Sequence, residues 1–385
     1  MFKRGTDPMR RIWLGILLLC SALPLLAQSG VKEDYDTCAK QSGDVAIAAC
    51  NRAIQSGQLV AEDLAATYSN RGTEWLGKGE YDRALADYNE AIRLRPDYAE
   101  IFNNRGNVWR KKGEYDRAIA DYNEAIRLRP DYAKAFNNRG NAWQDKGEYD
   151  LAITDYNQAI RLKPDFAAAF NGRGIVWYTK GEFDRAITDY NQAIRLEPDF
   201  ALAFNNRADA WRTKGDYDRA IADYNEAIRL KMDYIHAGFG LGLVSFEQAR
   251  WQDSMDYFSA VSLEPTNAYG ALWLAMVQKR TGNTAYKYDL LERSSRFKQG
   301  WPMPIVSFYT DAITAQQLLD AAKNPDTRKQ QRQLCEAYFF LGEWQLAAQQ
   351  RKSAIPNLEM AMMVCPFSQS QYDAVRVELK RLQGK

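Results

Sequence analysis

The 385-residue sequence carries 51 Lys and Arg, 49 Asp and Glu and a formal net charge of +2, so no broadly basic surface for nucleic acid is expected. It holds a single histidine, His236, and lacks a Gly-rich phosphate loop, a metal-spaced Cys/His cluster and a G-x-S-x-G motif. Those absences argue against catalysis and leave no expected cofactor or metal.

Residues 1–27 read as a secretion signal. Arg10 and Arg11 precede an apolar run from Ile12 to Leu26, and cleavage is expected after Ala27. Translation from Met9 would give a tidier signal. The run is short for a membrane span. Cys20 is a candidate lipidation site, but Leu19 stands where a lipoprotein signal carries a small residue, so an ordinary cleaved signal is preferred. The expected location is the periplasm or cell envelope, with membrane contact only if Cys20 is lipidated or the signal stays uncleaved. Removing Lys3, Arg4, Arg10, Arg11 and Asp7 with the signal leaves 47 basic and 48 acidic residues. Export also exposes the other cysteines, Cys38, Cys50, Cys335 and Cys365, to an oxidising compartment.

Residues 31–64 are expected to form a capping helix pair. Cys38 and Cys50 flank its Gly43–Asp44 turn at comparable distances, which predicts that they pair. A 34-residue unit then repeats five times, over 65–98, 99–132, 133–166, 167–200 and 201–234. Its Trp75, Trp109, Trp143, Trp177 and Trp211 recur in phase, as do Pro96, Pro130, Pro164 and Pro198. Such a period means stacked units with neighbour contacts rather than one globular core. Phe102, Gly106 and Trp109 make one apolar helix face, and Ala118, Tyr122 and Ala125 another. Gly113 frees the turn between the two helices, and Pro130 ends the second.

A sixth, divergent repeat is expected over 235–268. Gly242, Phe258 and Pro265 stay in phase there, while Met232 replaces the preceding proline and Ser245 the tryptophan. Residues 269–334 form a divergent helical region. Within it, Trp301 to Asp326 breaks the pattern as an insertion or elbow. The pattern returns at 335–368 through Gly342, Ala354, Leu358, Ala361 and Pro366, and 369–385 is expected to hold a capping helix. Cys335 should open the first helix of that last repeat and Cys365 close the second, so these two should pair across the antiparallel helices.

The small residues Gly106, Gly140, Ala118 and Ala152, with Tyr122 and Tyr156 and with Pro130 and Pro164, together resemble the tetratricopeptide repeat (TPR) over about 65–234. The resemblance implies an all-α fold, a right-handed superhelical solenoid of antiparallel helix pairs, here with a divergent C-terminal helical block. It also implies that the first helix of each pair lines the inner face. On that helix, opposite the apolar stripe, stand Glu100, Asn104, Asn107 and Lys111 in the second repeat and Lys134, Asn138, Asn141 and Asp145 in the third. Asn70, Asn104, Asn138 and Asn206 would form a ladder whose amides each offer a donor and an acceptor to an extended peptide; satisfying neighbouring groups is the equal alternative. Asp209 takes the place of Asn107 and Asn141 in the fifth repeat. In the fourth, Ala168, Gly172 and Ile175 break the ladder and leave a small apolar gap for a side chain.

Repeats that clamp a terminal carboxylate carry Lys and Arg at set positions; Lys134 fits one, but Asn138 stands four residues on instead of Arg. Asp87, Asp121, Asp155, Asp189 and Asp223 recur with Arg71, Arg105, Arg139, Arg173 and Arg207, a pattern expected to link adjacent repeats. His236 reads as a solvated or hydrogen-bonded side chain. The signal, the array and the C-E-A-Y-F-F-L-G-E-W segment from Cys335 to Trp344 resemble exported bacterial envelope adaptors of the NlpI lipoprotein type. That resemblance implies a scaffold that recruits envelope proteases or cell-wall hydrolases to partner proteins. Two alternatives are an assembly factor of a secretion or polysaccharide-export complex, and an enzyme with its site in 301–326 using Asp311 or Tyr309.

Overall fold

The computed structural model describes residues 30–230, 235–264, 266–366 and 370–384. The signal segment, Cys20, Met232 and Pro265 lie outside the described residues. Those described form helices and their connections, with no strand among them. The chain divides into two compact units, Met1–Pro164 and Asp165–Lys385.

The N-terminal unit runs α1 (30–40), α2 (Gly43–Gln55), α3 (Ala61–Gly77), α4 (Tyr81–Leu94), α5 (Ala99–Lys111), α6 (Tyr115–Leu128), α7 (Ala133–Lys146) and α8 (Tyr149–Leu162). Each first helix packs on the second helix that follows it, and each second helix on the next first helix. Small residues set the close approach. A Cβ on Gly106 would stand 2.7 Å from Cε1 of Tyr122, and one on Gly140 3.0 Å from Cε1 of Tyr156. Tyr122 and Tyr156 are fully buried, as are Ala118, Ala125, Ala152 and Ala159 on the same helices. Between paired helices, Gly113 takes φ +80° and Gly147 φ +84°, the left-handed conformation that ends a helix without a Cβ penalty.

The first helix of the first repeat starts at Ala61, earlier than the expected boundary at 65. The later first helices follow a Pro-Asp-Tyr or Pro-Asp-Phe segment that forces a break. That segment is missing before residue 65, and Glu62 and Asp63 instead favour a helix start. At the front of the unit, the Sγ atoms of Cys38 and Cys50 are at bonding distance, 2.08 Å.

The recurrent ion pairs lie within repeats rather than between them. Arg105 grips both carboxylate oxygens of Asp121 at 2.8 and 2.7 Å, 16 residues on in the same repeat. The tie to the preceding repeat is an amide: the other nitrogen of Arg105 donates to Asn89 Oδ1 at 2.7 Å. Arg71 and Arg139 repeat the arrangement with Asp87 and Asn51, and with Asp155 and Asn123. A guanidinium has enough donors for both jobs, and an ammonium would not match the fork. Lysines add a second inter-repeat tie, Lys112 to Asp82 and Lys146 to Asp116, each at 2.6 Å.

The C-terminal unit begins with α9 (Ala167–Thr179), α10 (Phe183–Leu196), α11 (Ala201–Lys214), α12 (Tyr217–Leu230), α13 (Ile235–Glu247) and α14 (Trp251–Val261). It continues with α15 (Ala268–Arg280), α16 (Tyr286–Ser294), α17 (Met303–Tyr309), α18 (Ala315–Ala321), α19 (Thr327–Ala347), α20 (Arg351–Val364) and α21 (Ser370–Gln383). The neighbour-by-neighbour packing holds through α13. Beyond it, one apolar cluster joins α13 to α21 around Trp273, which is fully buried among Phe239, Phe246, Phe258, Phe339 and Phe340. The segment 301–326 is part of that core, because Ile305, Val306, Phe308, Tyr309 and Leu318 are buried in it.

The last repeat differs from expectation at its start. Its first helix begins at Thr327, so Cys335 lies well inside it rather than opening it. Asp326 explains the early start: its carboxylate accepts from the backbone N–H groups of Arg328 and Lys329 and caps the helix. Cys365 ends α20, and its Sγ lies 2.04 Å from that of Cys335. Helix α21 packs on α20 as a further first helix would, and it also reaches back to α13 and α19.

Candidate binding face on the first helices

In the N-terminal unit the first helices α3, α5 and α7 stand side by side. On them Asn70, Glu100, Asn104, Asn107, Asn138 and Asn141 are half-buried, while Lys111 and Lys134 are exposed. Glu100 pairs with Arg129 from the end of α6. Asn104, Asn138 and their neighbours form a chain of amides. Asn137 donates to Asn138 at 3.4 Å, Asn138 to Asn103 at 2.9 Å, and Asn103 to Asn104 at 3.2 Å. Two members, Asn103 and Asn137, are buried, and the sequence reading missed them. The signal was the Asn-Asn doublet at 103–104 and 137–138. A helix step of about 100° turns one asparagine of each doublet inward and its neighbour outward.

Asn107 and Asn141 are held differently. Tyr122 donates its hydroxyl to Asn107 Oδ1 at 2.8 Å, and the Tyr156 hydroxyl is shared between Asn141 Oδ1 at 2.7 Å and Gln144 Oε1 at 2.9 Å. The tyrosine that fills the gap between paired helices therefore also orients a half-buried amide on the first helix. Burial pushes both phenols well above their usual range, so each hydroxyl keeps its proton and stays a donor. The amino ends of these two amides remain to be used.

In the C-terminal unit, Ala168 is exposed on α9, Gly172 is buried and Ile175 is half-buried. Next to them on α11, Asn206 donates to Asn171 at 3.0 Å, and Leu202 is exposed. Asp209 is already engaged: Tyr224 donates to Oδ1 at 2.6 Å and Asn205 to Oδ2 at 3.3 Å. Burial raises its carboxyl, with Arg212 and the Tyr224 hydroxyl opposing. His236 is exposed near the start of α13. In the 301–326 segment, Tyr309 is fully buried and donates to the Phe340 carbonyl at 2.9 Å, whereas exposed Asp311 pairs with Lys287. Buried Tyr309 thus supports the fold, while Asp311 is held in an ion pair at the surface. Among the described residues, no helix is long and apolar enough to cross a membrane.

Comparison with known families finds tetratricopeptide repeats. Models described as TPR repeat match residues 77–109 and 106–147, and models described as tetratricopeptide repeat match 133–166 and 178–235. No curated protein sequence matches the chain. Among solved structures, a tetratricopeptide repeat protein from Parabacteroides merdae is 20% identical with a TM-score of 0.54, over 66% of this chain and 98% of its own. PilF of Pseudomonas aeruginosa is 17% identical with a TM-score of 0.48, over 53% of this chain and 94% of its own. YrrB, described as a TPR protein with an unusual peptide-binding site, is 23% identical with a TM-score of 0.37, over 49% of this chain and 95% of its own.

Proposed function

We propose, from the premise that residues 77–166 and 178–235 are tetratricopeptide repeats, that this chain is an exported scaffold holding extended segments of other proteins on its first helices. The observation that carries this reading is the pair Asn107 and Asn141. Each amide is pinned at its oxygen by a buried tyrosine and presents its amino group at one repeat's spacing. Amino groups so fixed suit successive carbonyls of an extended backbone and lose little entropy on binding. Exposed Lys111 and Lys134 beside them favour a segment carrying acidic side chains. The export signal and the likeness to NlpI-type adaptors support a periplasmic or envelope role, recruiting proteases or cell-wall hydrolases to their partners.

The test is a fluorescence-polarisation screen of extended peptides against the chain lacking residues 1–27. Each amide bond contributes about 0.5–1.5 kcal/mol. The double change Asn107→Ala with Asn141→Ala should therefore weaken a bound peptide by about 1–3 kcal/mol with helicity unchanged. Peptide binding that survives the double change removes the role given to these amides. Envelope crosslinking that captures only large folded subunits, with no peptide bound in the screen, favours the assembly-factor reading.

A further inference from the structure

Helix α21 is held to the rest of the C-terminal unit by two buried clusters of charge. In the first, Arg212 of α11 meets Glu247 of α13, and Asp373 of α21 lies 3.4 Å from the same guanidinium. Asp373 also accepts from Thr213 at 2.8 Å and pairs with Arg376 at 3.1 Å, and Arg376 donates to the Thr213 carbonyl at 2.8 Å. In the second, Arg280 of α15 bridges Glu343 of α19 at 2.8 Å and Glu378 of α21 at 3.1 Å. Arg381 pairs with Glu378 and donates to the Phe246 carbonyl at 2.8 Å and to the Glu247 carbonyl at the end of α13. All four carboxylates are buried. Two arginines of α21 thus take up carbonyls in the last turns of α11 and α13, where the helix dipole favours a cation.

The clusters balance in formal charge but not in hydrogen bonds. Glu247 Oε2 and Glu343 Oε1 are buried and have no donor, and Asp373 Oδ1 has only its ion pair with Arg376. A charged carboxylate with one buried oxygen left unsatisfied is expensive, and taking up a proton relieves it. We propose that α21 is a pH-sensitive latch, closed over the C-terminal ends of α11, α13, α15 and α19 at acidic and neutral pH and released as the solution turns alkaline.

Each glutamate faces cations and anions from several elements. Around Glu247 stand Arg212, Asp373 and Arg376, with the Tyr217 phenol beside it; around Glu343 stand Glu378, Arg280 and Arg381, with Tyr309. Burial raises both carboxyls, Glu247 to about 7, with the arginines opposing and the second acid of each cluster adding to the rise. The docked state therefore holds more protons than the released state, from the usual carboxylate range up to about pH 7 and beyond. Docking is tightest at the acid end of that window and is lost as pH rises through it. Each linked proton steepens release by up to about tenfold per pH unit.

The test is amide hydrogen exchange on the chain lacking residues 1–27, from pH 6 to pH 9, with each rate corrected for the intrinsic pH dependence of exchange. Protection over 370–383 should fall about ten- to a hundredfold while α19 and α20 stay protected. In the double variant Glu247→Gln with Glu343→Gln, that protection should become flat with pH. Should the double variant not fold, each single variant should lose about half of the slope. Protection of 370–383 that does not change with pH overturns the latch. So does an equal loss in α19 and α20, or a slope that survives both glutamine changes.

Discussion

Tyr122 shows how one residue type serves two ends. Its ring fills the space that Gly106 leaves empty, and its hydroxyl orients Asn107. Adding a methyl group at Gly106 drives it into that ring, which is fully buried in one cluster with Ala118, Ile119 and Ala142 and has little room to retreat. Gly106→Ala should cost about 1–3 kcal/mol by overpacking, read from the urea midpoint. Gly77, at the end of α3, is the control, because a Cβ there meets nothing within 4 Å. Gly77→Ala should be neutral or stabilise by up to about 1 kcal/mol. Equal costs at the two sites would refute the packing argument. Gly106→Ala should also displace the Tyr122 hydroxyl and weaken peptide binding through Asn107, a link that a purely structural glycine would lack.

Among the elements, one disulfide ties α1 to α2 at the front of the N-terminal unit, where a stacked array lacks a neighbour, and the other ties α19 to α20 inside the cluster that α21 completes. Closing the loop between Cys335 and Cys365, a separation of 30 residues, should contribute about 3–4 kcal/mol in the chain-entropy account. Cys335→Ser with Cys365→Ser should therefore lower the thermal midpoint of the C-terminal unit to that of the dithiothreitol-treated parent. Non-reducing peptide mapping that recovered either cysteine as a free thiol would remove the pairing itself. Asp326 offers a finer probe of α19: Asp326→Ala should cost about 1 kcal/mol by freeing the N–H groups of Arg328 and Lys329. The early start of α19 was hidden in the sequence because T-R-K-Q-Q-R-Q has no apolar period, and only the capping aspartate marks it.

Across the whole chain, what could be read from sequence follows the range of the contacts. The repeat, its paired helices and both cysteine pairs rest on contacts within a few dozen residues, and phase alone exposes them. The inward asparagines 103 and 137 were one step from the residues singled out, and composition does not distinguish the two faces of an Asn-Asn doublet. The bonds from Arg376 to Thr213 and from Arg381 to Phe246 span 163 and 135 residues, and no periodicity announces them. The same difference in range predicts two modes of unfolding. In the repeats, damage should spread only to adjacent helices, because each repeat touches only its neighbours. In α13–α21 a single cluster surrounds Trp273, so its loss should be felt by all of them. Trp273→Ala should cost about 3–5 kcal/mol and raise hydrogen exchange together in α13, α15, α19 and α21. It should leave α3 to α8 unchanged. Exchange that rises in α15 alone would mean that the C-terminal helices are joined neighbour to neighbour like the repeats, and that the cluster around Trp273 does not act as one cooperative core.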